Sequence, residues 1–343
     1  MKILRLTRLR TLEMQEAPDP IPRQPDDVIV RMVRVGVCGS DIHYYVDGRI
    51  GSQVVQFPFA LGHECAGVVE AVGPAVRRVK PGDPVAIEPA VSCGQCDQCR
   101  AGRPNTCRRL KFLGCPGQLE GCLAERIVMP ERNCLPLPNG VDAELGALSE
   151  PLAIALYAVR QSGPVRGRRV AVLGCGPIGL SVILVARHEG AEVIHATDLV
   201  PARIAAARTA GATWSGHAEG AEVDSARLGL SEVDVVFECC GKQEAIDQAV
   251  RWLAPGGTLS IIGIPSVERI SVVIDQARRK ELRIQNVRRQ AHCAEPMLEI
   301  LARHEIEPRF MVTHRFSFDR TPDAFELVAG LQDGVLKAMI EFP

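Results

Sequence analysis

The sequence has no surplus of charge of either sign. Forty Lys and Arg stand against 41 Asp and Glu, a formal net charge of -1, and the pI is about 6.7. Without a basic excess there is nothing to neutralise a run of phosphates, so nucleic acid is not an expected partner. Long apolar runs are also missing. The longest uncharged stretch, Val170 to Ala186, carries Gly174, Gly176, Pro177 and Gly179 near its middle. A strand, a tight turn and a helix fit it better than a membrane span. Met1-Lys2-Ile3-Leu4-Arg5 sets charges too close together for a signal-peptide core, which points to a cytoplasmic protein. Internal repeats and low-complexity segments are absent too. A chain of 343 residues should hold two domains, each with its own core.

Cysteine, by contrast, is plentiful, at thirteen residues. The odd count forbids complete internal pairing, and a chain without an export signal is expected in a reducing compartment. Cys93, Cys96, Cys99 and Cys107 crowd into fifteen residues. Two-residue gaps let consecutive thiolates converge, and a fourth returning from a loop closes a tetrahedron, which is what a structural Zn²⁺ site requires. Unrelated thiols or two disulfides are the plainer alternatives, and an iron–sulfur cluster is another. Cys38 is considered below. The remaining eight, Cys65, Cys115, Cys122, Cys134, Cys175, Cys239, Cys240 and Cys293, read as small buried hydrophobes.

Residues 1 to about 150 are rich in Val, Gly and Pro. Val28–Val30, Val33–Val35, Val68–Val72 and Val85–Ile87 read as short strands separated by breakers such as Pro81-Gly82-Asp83. The texture changes near Glu150-Pro151, where a Pro-initiated helix is expected to start just after Glu150. Beyond it, strands at Arg169–Leu173, Glu192–Thr197, Val233–Phe237 and Thr258–Ile262 alternate with helices at Leu180–His188, Pro201–Ala210 and Gln243–Leu253. The last helix is stopped by Pro255-Gly256-Gly257. This alternation implies a parallel, doubly wound α/β sheet. Thr321-Pro322 predicts a further helix with Thr as its cap.

Gly174-x-Gly176-x-x-Gly179, with Pro177 and Ile178 inside it, follows a predicted strand and opens a helix. The first Gly permits the turn, the second lets backbone approach a pyrophosphate, and the third allows close helix–strand packing. Asp198 closes the next strand, where an acid accepts hydrogen bonds from ribose hydroxyls and repels a 2′-phosphate. That favours NAD over NADP, with Arg203 near enough to complicate the preference. A glycine turn and a surface Asp with no ligand is the plainer alternative.

Cys38 lies in Cys38-Gly39-Ser40-Asp41-Ile42-His43, after a valine-rich strand, and His63-Glu64 lies in Gly62-His63-Glu64-x-x-Gly67. Thiolate, imidazole and carboxylate are all acceptable to Zn²⁺. Three protein ligands and one open position make a catalytic zinc, which can bind an alcohol oxygen and favour its ionisation. Taken singly, each of these residues is more often core or surface loop. Their weight comes from appearing together with the four-cysteine cluster and the dinucleotide turn.

With these motifs the chain resembles the zinc-dependent medium-chain alcohol dehydrogenase family over essentially its whole length. Gly62-His63-Glu64 through Val76 is similar to its zinc signature, Cys93 to Cys107 to its structural-zinc lobe, and Gly174 to Gly179 to its nucleotide turn. Gly36-Val37-Cys38-Gly39-Ser40-Asp41-Ile42-His43-Tyr44, Gly48-Arg49-Ile50-Gly51, Ala86-Ile87-Glu88-Pro89 and Glu150-Pro151-Leu152 resemble sorbitol (L-iditol)- and xylitol-type polyol dehydrogenases in particular. The resemblance implies a GroES-like, mostly β catalytic domain over 1–152 and 293–343, with a structural-zinc lobe near 90–110. It implies a Rossmann NAD-binding domain over 153–292.

The same resemblance implies site residues. Cys38, His63 and Glu64 would hold the catalytic zinc, with Glu150 a further ligand, direct or through water. Cys93, Cys96, Cys99 and Cys107 would hold the structural one. Ser40 and His43 match a proton path that runs through the cofactor ribose to water. Ile262, Gly263, Ile264, Val287, Arg288 and Arg289 match segments along the cofactor, and Tyr44 and Arg289 match substrate-side residues. The run Arg288-Arg289-Gln290-Ala291-His292-Cys293 lacks the aromatic pair often found around this arginine in sorbitol-type enzymes, so the polyol itself stays open. The implied activity is hydride transfer from a polyol to NAD by a homodimer or homotetramer. An L-threonine or sugar-acid dehydrogenase of the same family and a non-catalytic zinc- and nucleotide-binding protein are the competing readings.

Overall fold

The computed structural model describes residues 1–221 and 232–343. The chain divides into two compact units, Met1–Glu150 with Ala294–Pro343, and Pro151–Cys293.

The first unit is built on a seven-stranded sheet. Its strands run in the order Cys134–Pro136, Pro84–Ile87, Glu64–Val72, Asp27–Gly36, Lys337–Glu341 and Val312–Ser317, and Arg126–Pro130 pairs separately with Asp27–Gly36. The valine runs Val28–Val30 and Val33–Val35, read as two strands, are one ten-residue strand. A register shift between Met32 and Arg34 absorbs the break in alternation. Two strand ends and the middle of a third strand meet in register, with Gly36 opposite Glu64 on one side and Met339 on the other. This junction carries much of the candidate site. A single apolar cluster, including Leu4, Val30, Met32, Leu61, Val85, Met129, Phe325 and Ile340, fills the space behind the sheet.

The second unit holds a six-stranded sheet, parallel throughout, in the order Trp214–His217, Val193–Asp198, Arg169–Leu173, Val233–Glu238, Leu253–Ile261 and Arg283–Asn286. The order reverses between Arg169–Leu173 and Val233–Glu238, the switch point at which such sheets bind ligands. Strand residues Val170, Val172, Val235 and Val236 are fully buried, as strands covered on both faces must be.

Three local expectations need correction. Glu150 does not precede a helix. The helix runs Ala143–Gln161 with Pro151 inside it, and it begins where the Asp142 carboxylate accepts the Leu145 N–H at 3.0 Å. Apolar burial on both sides of the proline, at Leu148, Leu152 and Ala153, outweighs the backbone bond the proline forfeits. Pro255-Gly256-Gly257 lies within the strand Leu253–Ile261 rather than separating it from the helix Gln243–Trp252. Lys280 Nζ holds the end of that helix by donating to the carbonyls of Val250, Arg251 and Leu253. Thr321 is the first residue of its helix, not the cap, because its hydroxyl donates back to the Phe318 carbonyl at 2.7 Å.

Candidate active site and metal centres

The four-cysteine lobe is short and held by local bonds. Asp97–Arg100 forms one helical turn, Pro104–Thr106 a 3₁₀ turn, and Ala90–Val91 pairs with Lys111–Phe112. The sulfurs of Cys93, Cys96, Cys99 and Cys107 lie within 4.8 Å of one another. Cys96 Sγ is 3.6 Å from Cys99 Sγ and 3.8 Å from Cys107 Sγ. A tetrahedron on Zn–S bonds of about 2.3 Å has edges of about 3.8 Å, so the spacing is that of a metal cage. No disulfide forms among the thirteen cysteines, which removes the paired-disulfide alternative. Backbone N–H groups of Cys93 and Arg109 point at Cys107 Sγ, at 3.2 and 3.4 Å. The Gln95 N–H draws the Cys93 thiol down to about 5, whereas desolvation by its neighbours pushes Cys99 up to about 11.

The second cluster is built from the sheet junction. Asp27–Gly36 ends, Val37 is tied by its N–H to the Ala338 carbonyl at 3.0 Å, and Cys38 caps the helix Gly39–Asp47. Glu64 opens its strand, with His63 immediately before it. The donor atoms of Cys38, His63 and Glu64 fall within 4.8 Å of one another. His63 and Glu64 are buried and Cys38 half-buried. Burial pushes the Cys38 thiol up, and the Glu64 charge adds to that. His63 goes well above its usual value: burial opposes its charge, but Asp41 and Cys38 outweigh it.

Two residues that the sequence reading left unassigned complete this cluster. Asp41, 1% exposed, places Oδ1 3.4 Å from His63 Nδ1. The same oxygen accepts the Gly62 N–H at 3.1 Å, and Oδ2 accepts the Cys38 N–H at 3.2 Å. One carboxylate thus fixes the backbone before both Cys38 and His63 and orients the imidazole, a familiar support for a metal-binding ring. Lys337, also 1% exposed, forms an ion pair with Glu64 Oε2 and donates to the Val37 carbonyl at 3.3 Å. Each left a trace in the sequence. Asp41 sits three positions after Cys38, and Lys337 is a lone charge within Val335-Leu336-Lys337-Ala338-Met339-Ile340.

Glu150 is buried near this cluster, but its carboxylate is not among the donors that converge. Burial pushes it up to about 8; Glu64 and Glu88 act in the same direction, and His63 and Lys337 oppose them. In the interior of the helix Ala143–Gln161 it gains nothing from a helix N-terminus, as it would if a helix started just after it.

Ser40, His43 and Tyr44 share the helix Gly39–Asp47. Ser40 Oγ donates to Cys38 Sγ at 3.4 Å, at the edge of the donor cluster. His43 Nδ1 lies 3.4 Å from Asp47 Oδ2. Tyr44 is 4% exposed. Its hydroxyl donates to Gln53 Oε1 at 3.1 Å and lies 3.8 Å from Cys115 Sγ.

In the second unit, Gly174 has φ +94 and donates its N–H to the Thr197 carbonyl at 2.8 Å. A Cβ at Gly179 would overlap the Gly174 carbonyl, whereas one at Gly176 would meet only the Arg203 guanidinium at 3.8 Å. The third glycine is therefore demanded by packing, and the second stands on open ground. The helix begins at Pro177, earlier than the expected Leu180, with Gly176 as cap. Pro177, Ile178 and Gly179 thus form its first turn. Asp198 is buried and accepts the N–H of Cys175 at 2.6 Å and that of Val200 at 2.9 Å.

The buried Glu238 joins the next two loops of this unit. Its Oε1 accepts the N–H groups of Cys240 and Gly241, at 2.7 and 2.6 Å. Its main-chain carbonyl accepts those of Ile262 and Gly263, at 2.9 and 3.0 Å. Ile264 is exposed. Val287 donates to the Ile261 carbonyl at 2.9 Å. Arg288 and Arg289 follow the edge strand Arg283–Asn286, and Arg289 adopts φ +54. Among the described residues, no helix is long and apolar enough to cross a membrane.

Comparison with known proteins matches residues 24–139 to the alcohol dehydrogenase GroES-like domain and residues 177–303 to the zinc-binding dehydrogenase domain. Sorbitol dehydrogenase of Bacillus subtilis (strain 168) is 34% identical over 343 residues, 99% of this chain and 97% of that protein. L-idonate 5-dehydrogenase of Vitis vinifera is 35% identical over 94% of this chain and 90% of its own. Among solved structures, a zinc-binding dehydrogenase of Sinorhizobium meliloti 1021 bound to NADP superposes with TM-score 0.90 at 32% identity, covering 99% of this chain and 98% of its own.

Proposed function

Because this chain belongs to the zinc-dependent medium-chain alcohol dehydrogenase family, we propose that it transfers hydride from a secondary alcohol of the sorbitol, xylitol or iditol class to NAD. The observation that carries this reading is the convergence of one thiol, one imidazole and one carboxylate, from Cys38, His63 and Glu64, within 4.8 Å. The donor set suits Zn²⁺: Cys⁻ and Glu⁻ balance a dication, and three protein ligands leave a position for substrate. Burial pushes Cys38 and Glu150 toward their neutral forms, and a bound dication would favour their anions.

When bound, the metal supplies Lewis acidity and the nicotinamide supplies the hydride acceptor. The chain's own residues do the rest. Asp41 orients His63, and Glu150 adds a nearby carboxylate. Ser40, beside Cys38, takes the proton leaving the substrate hydroxyl. His43, steadied by Asp47 and half-exposed, releases it to water, a role open to an imidazole that can both accept and donate a proton. The glycine turn and helix start at Gly174–Gly179 receive the pyrophosphate, and Asp198 sets the preference for NAD. Ile262–Ile264 and Val287–Arg289 line the cofactor, and Arg289 offers a donor fork suited to hydroxyls. Cys93, Cys96, Cys99 and Cys107 hold a second, closed zinc.

A sugar-acid substrate is the second reading, favoured by the adjacent arginines Arg288 and Arg289 and by the L-idonate 5-dehydrogenase relative. Following reduced-cofactor absorbance with zinc-replete protein separates the readings. Polyols, sugar acids, L-threonine and simple alcohols are offered with NAD and with NADP. Turnover of polyols with NAD supports the proposal, turnover of sugar acids or threonine alone removes the polyol assignment, and no turnover with any of them removes the enzyme.

A further inference from the structure

Lys337 is the most deeply buried lysine among the described residues, and the next three residues of its strand, Ala338, Met339 and Ile340, are apolar. A buried cation is costly unless paired, and replacing such a pair by apolar groups is often neutral or stabilising. Leu336, Ala338, Met339 and Ile340 show that the surrounding positions favour apolar packing. The fold nevertheless shapes itself around this charge. A Cβ at Gly36 would overlap Glu64 Oε2 and lie 2.9 Å from Lys337 Cε, so the strand facing the pair is bare of side chain where the two groups meet. The ammonium is claimed by Glu64 Oε2 and the Val37 carbonyl.

We propose that Lys337 is a positioning residue for the open metal centre: it occupies one carboxylate oxygen of Glu64, so that Glu64 offers the metal a single oxygen and the position for substrate stays free. This rests on the proposed reading of Cys38, His63 and Glu64 as metal ligands. At 1% exposure Lys337 meets no solvent, and its ammonium faces the Glu64 carboxylate and the Val37 carbonyl. Remove its charge and both oxygens of Glu64 are free to turn to the metal. The metal is then held more firmly and turnover falls. A residue that merely props up the structure gives the opposite sign, with metal and activity lost together.

Cobalt(II) placed at the open centre of the full-length protein reports both quantities, since its visible bands follow coordination number. The variants are Lys337→Met, Lys337→Arg, Glu64→Gln and the Met/Gln double variant. The four-cysteine cluster, which none of them touches, serves as internal reference. Lys337→Met is expected to release cobalt to a chelator at least about tenfold more slowly. Its bands should shift toward higher coordination, and kcat should fall by about tenfold or more. Lys337→Arg, which keeps the charge, should restore the wild-type spectrum and turnover. In the Glu64→Gln background, Lys337→Met should add no further loss. Faster cobalt release from Lys337→Met, unchanged bands and kcat, or an additive loss in the double variant each overturns the proposal. If Lys337→Met does not fold, the arginine variant decides alone: a shifted spectrum and lowered kcat despite the retained charge would overturn it. Wild-type protein that takes up metal only at the cysteine cluster would overturn the reading of the open centre itself, and this inference with it.

Discussion

Replacing either Gly176 or Gly179 by alanine separates what the glycine turn does for the fold from what it does for the cofactor. An alanine Cβ at position 179 would overlap the Gly174 carbonyl oxygen and lie 2.9 Å from its carbon. Non-bonded heavy atoms settle at about 3.5–4.0 Å, so the end of Arg169–Leu173 and the start of Pro177–His188 must move apart by well over ~1 Å. Backbone cannot escape by changing rotamer, and overpacking of this kind costs about 1–3 kcal/mol. The shift also re-aims the N–H groups of the helix start, and a misplacement of about 1 Å costs about 100-fold in a positioned contact. Gly176 differs. Its φ of -67 is open to any residue, and a Cβ there meets only Arg203 at 3.8 Å. Gly176→Ala should therefore leave stability within about 0.5 kcal/mol of wild type while a methyl group obstructs the pyrophosphate. Titration of NADH fluorescence, with thermal unfolding of the same samples, checks both. The expectation is affinity lost in both variants and stability lost only in Gly179→Ala. NADH binding by Gly179→Ala at wild-type strength would refute the packing argument. Equal destabilisation by the two alanines would refute the distinction between them.

Cys99→Ser should remove one zinc per chain, measured by elemental analysis, and lower the temperature of unfolding, because the lobe between Ala90–Val91 and Lys111–Phe112 is held by short turns and little core; unchanged zinc content would count against a metal cage there. His195 is fully buried beside Trp214, at 6.1 Å between ring centroids, and burial lowers it to about 4. Between pH about 6.5 and 4 the unfolded chain therefore binds the extra proton, so stability rises with pH across that window and is lost as pH falls through it. The full difference is about 3 kcal/mol. Unfolding measured at pH 7 and pH 5 should show a loss in wild type that is reduced in His195→Leu, and equal losses would contradict the assignment.

Residues close together in sequence were the legible ones. The cysteine spacing from Cys93 to Cys107 and the glycine spacing from Gly174 to Gly179 each lie within one turn or loop, where sequence distance fixes spatial distance. The parallel sheet followed from strands and helices alternating at ordinary lengths, and the GroES-like and Rossmann-type units followed from the same motifs. Contacts across the sheet were not legible. Nothing in the sequence alone says that the strand of Lys337 lies beside the strand ending at Gly36, which in turn faces Glu64. A lone lysine in an apolar run stands in the sequence, but the sequence does not give its partner. Asp41 was quoted within the Cys38 word yet left without a role, since a capping carboxylate and a ring-orienting one look alike until His63 is placed next to it. Glu150 shows the reverse error. Pro151 suggested a helix start, but burial of the residues around it carries the helix straight through the proline.

The central claim is that Cys38, His63 and Glu64 hold a metal that the reaction needs, separate from the closed cage at Cys93–Cys107. The most direct measurement is zinc content together with polyol-dependent reduction of NAD, for wild type and for Cys38→Ser. The account predicts two zinc ions per chain and turnover in wild type. In Cys38→Ser it predicts one zinc ion and no turnover, with the far-ultraviolet circular dichroism unchanged. Full activity in Cys38→Ser, or loss of activity with both zinc ions retained, would contradict it.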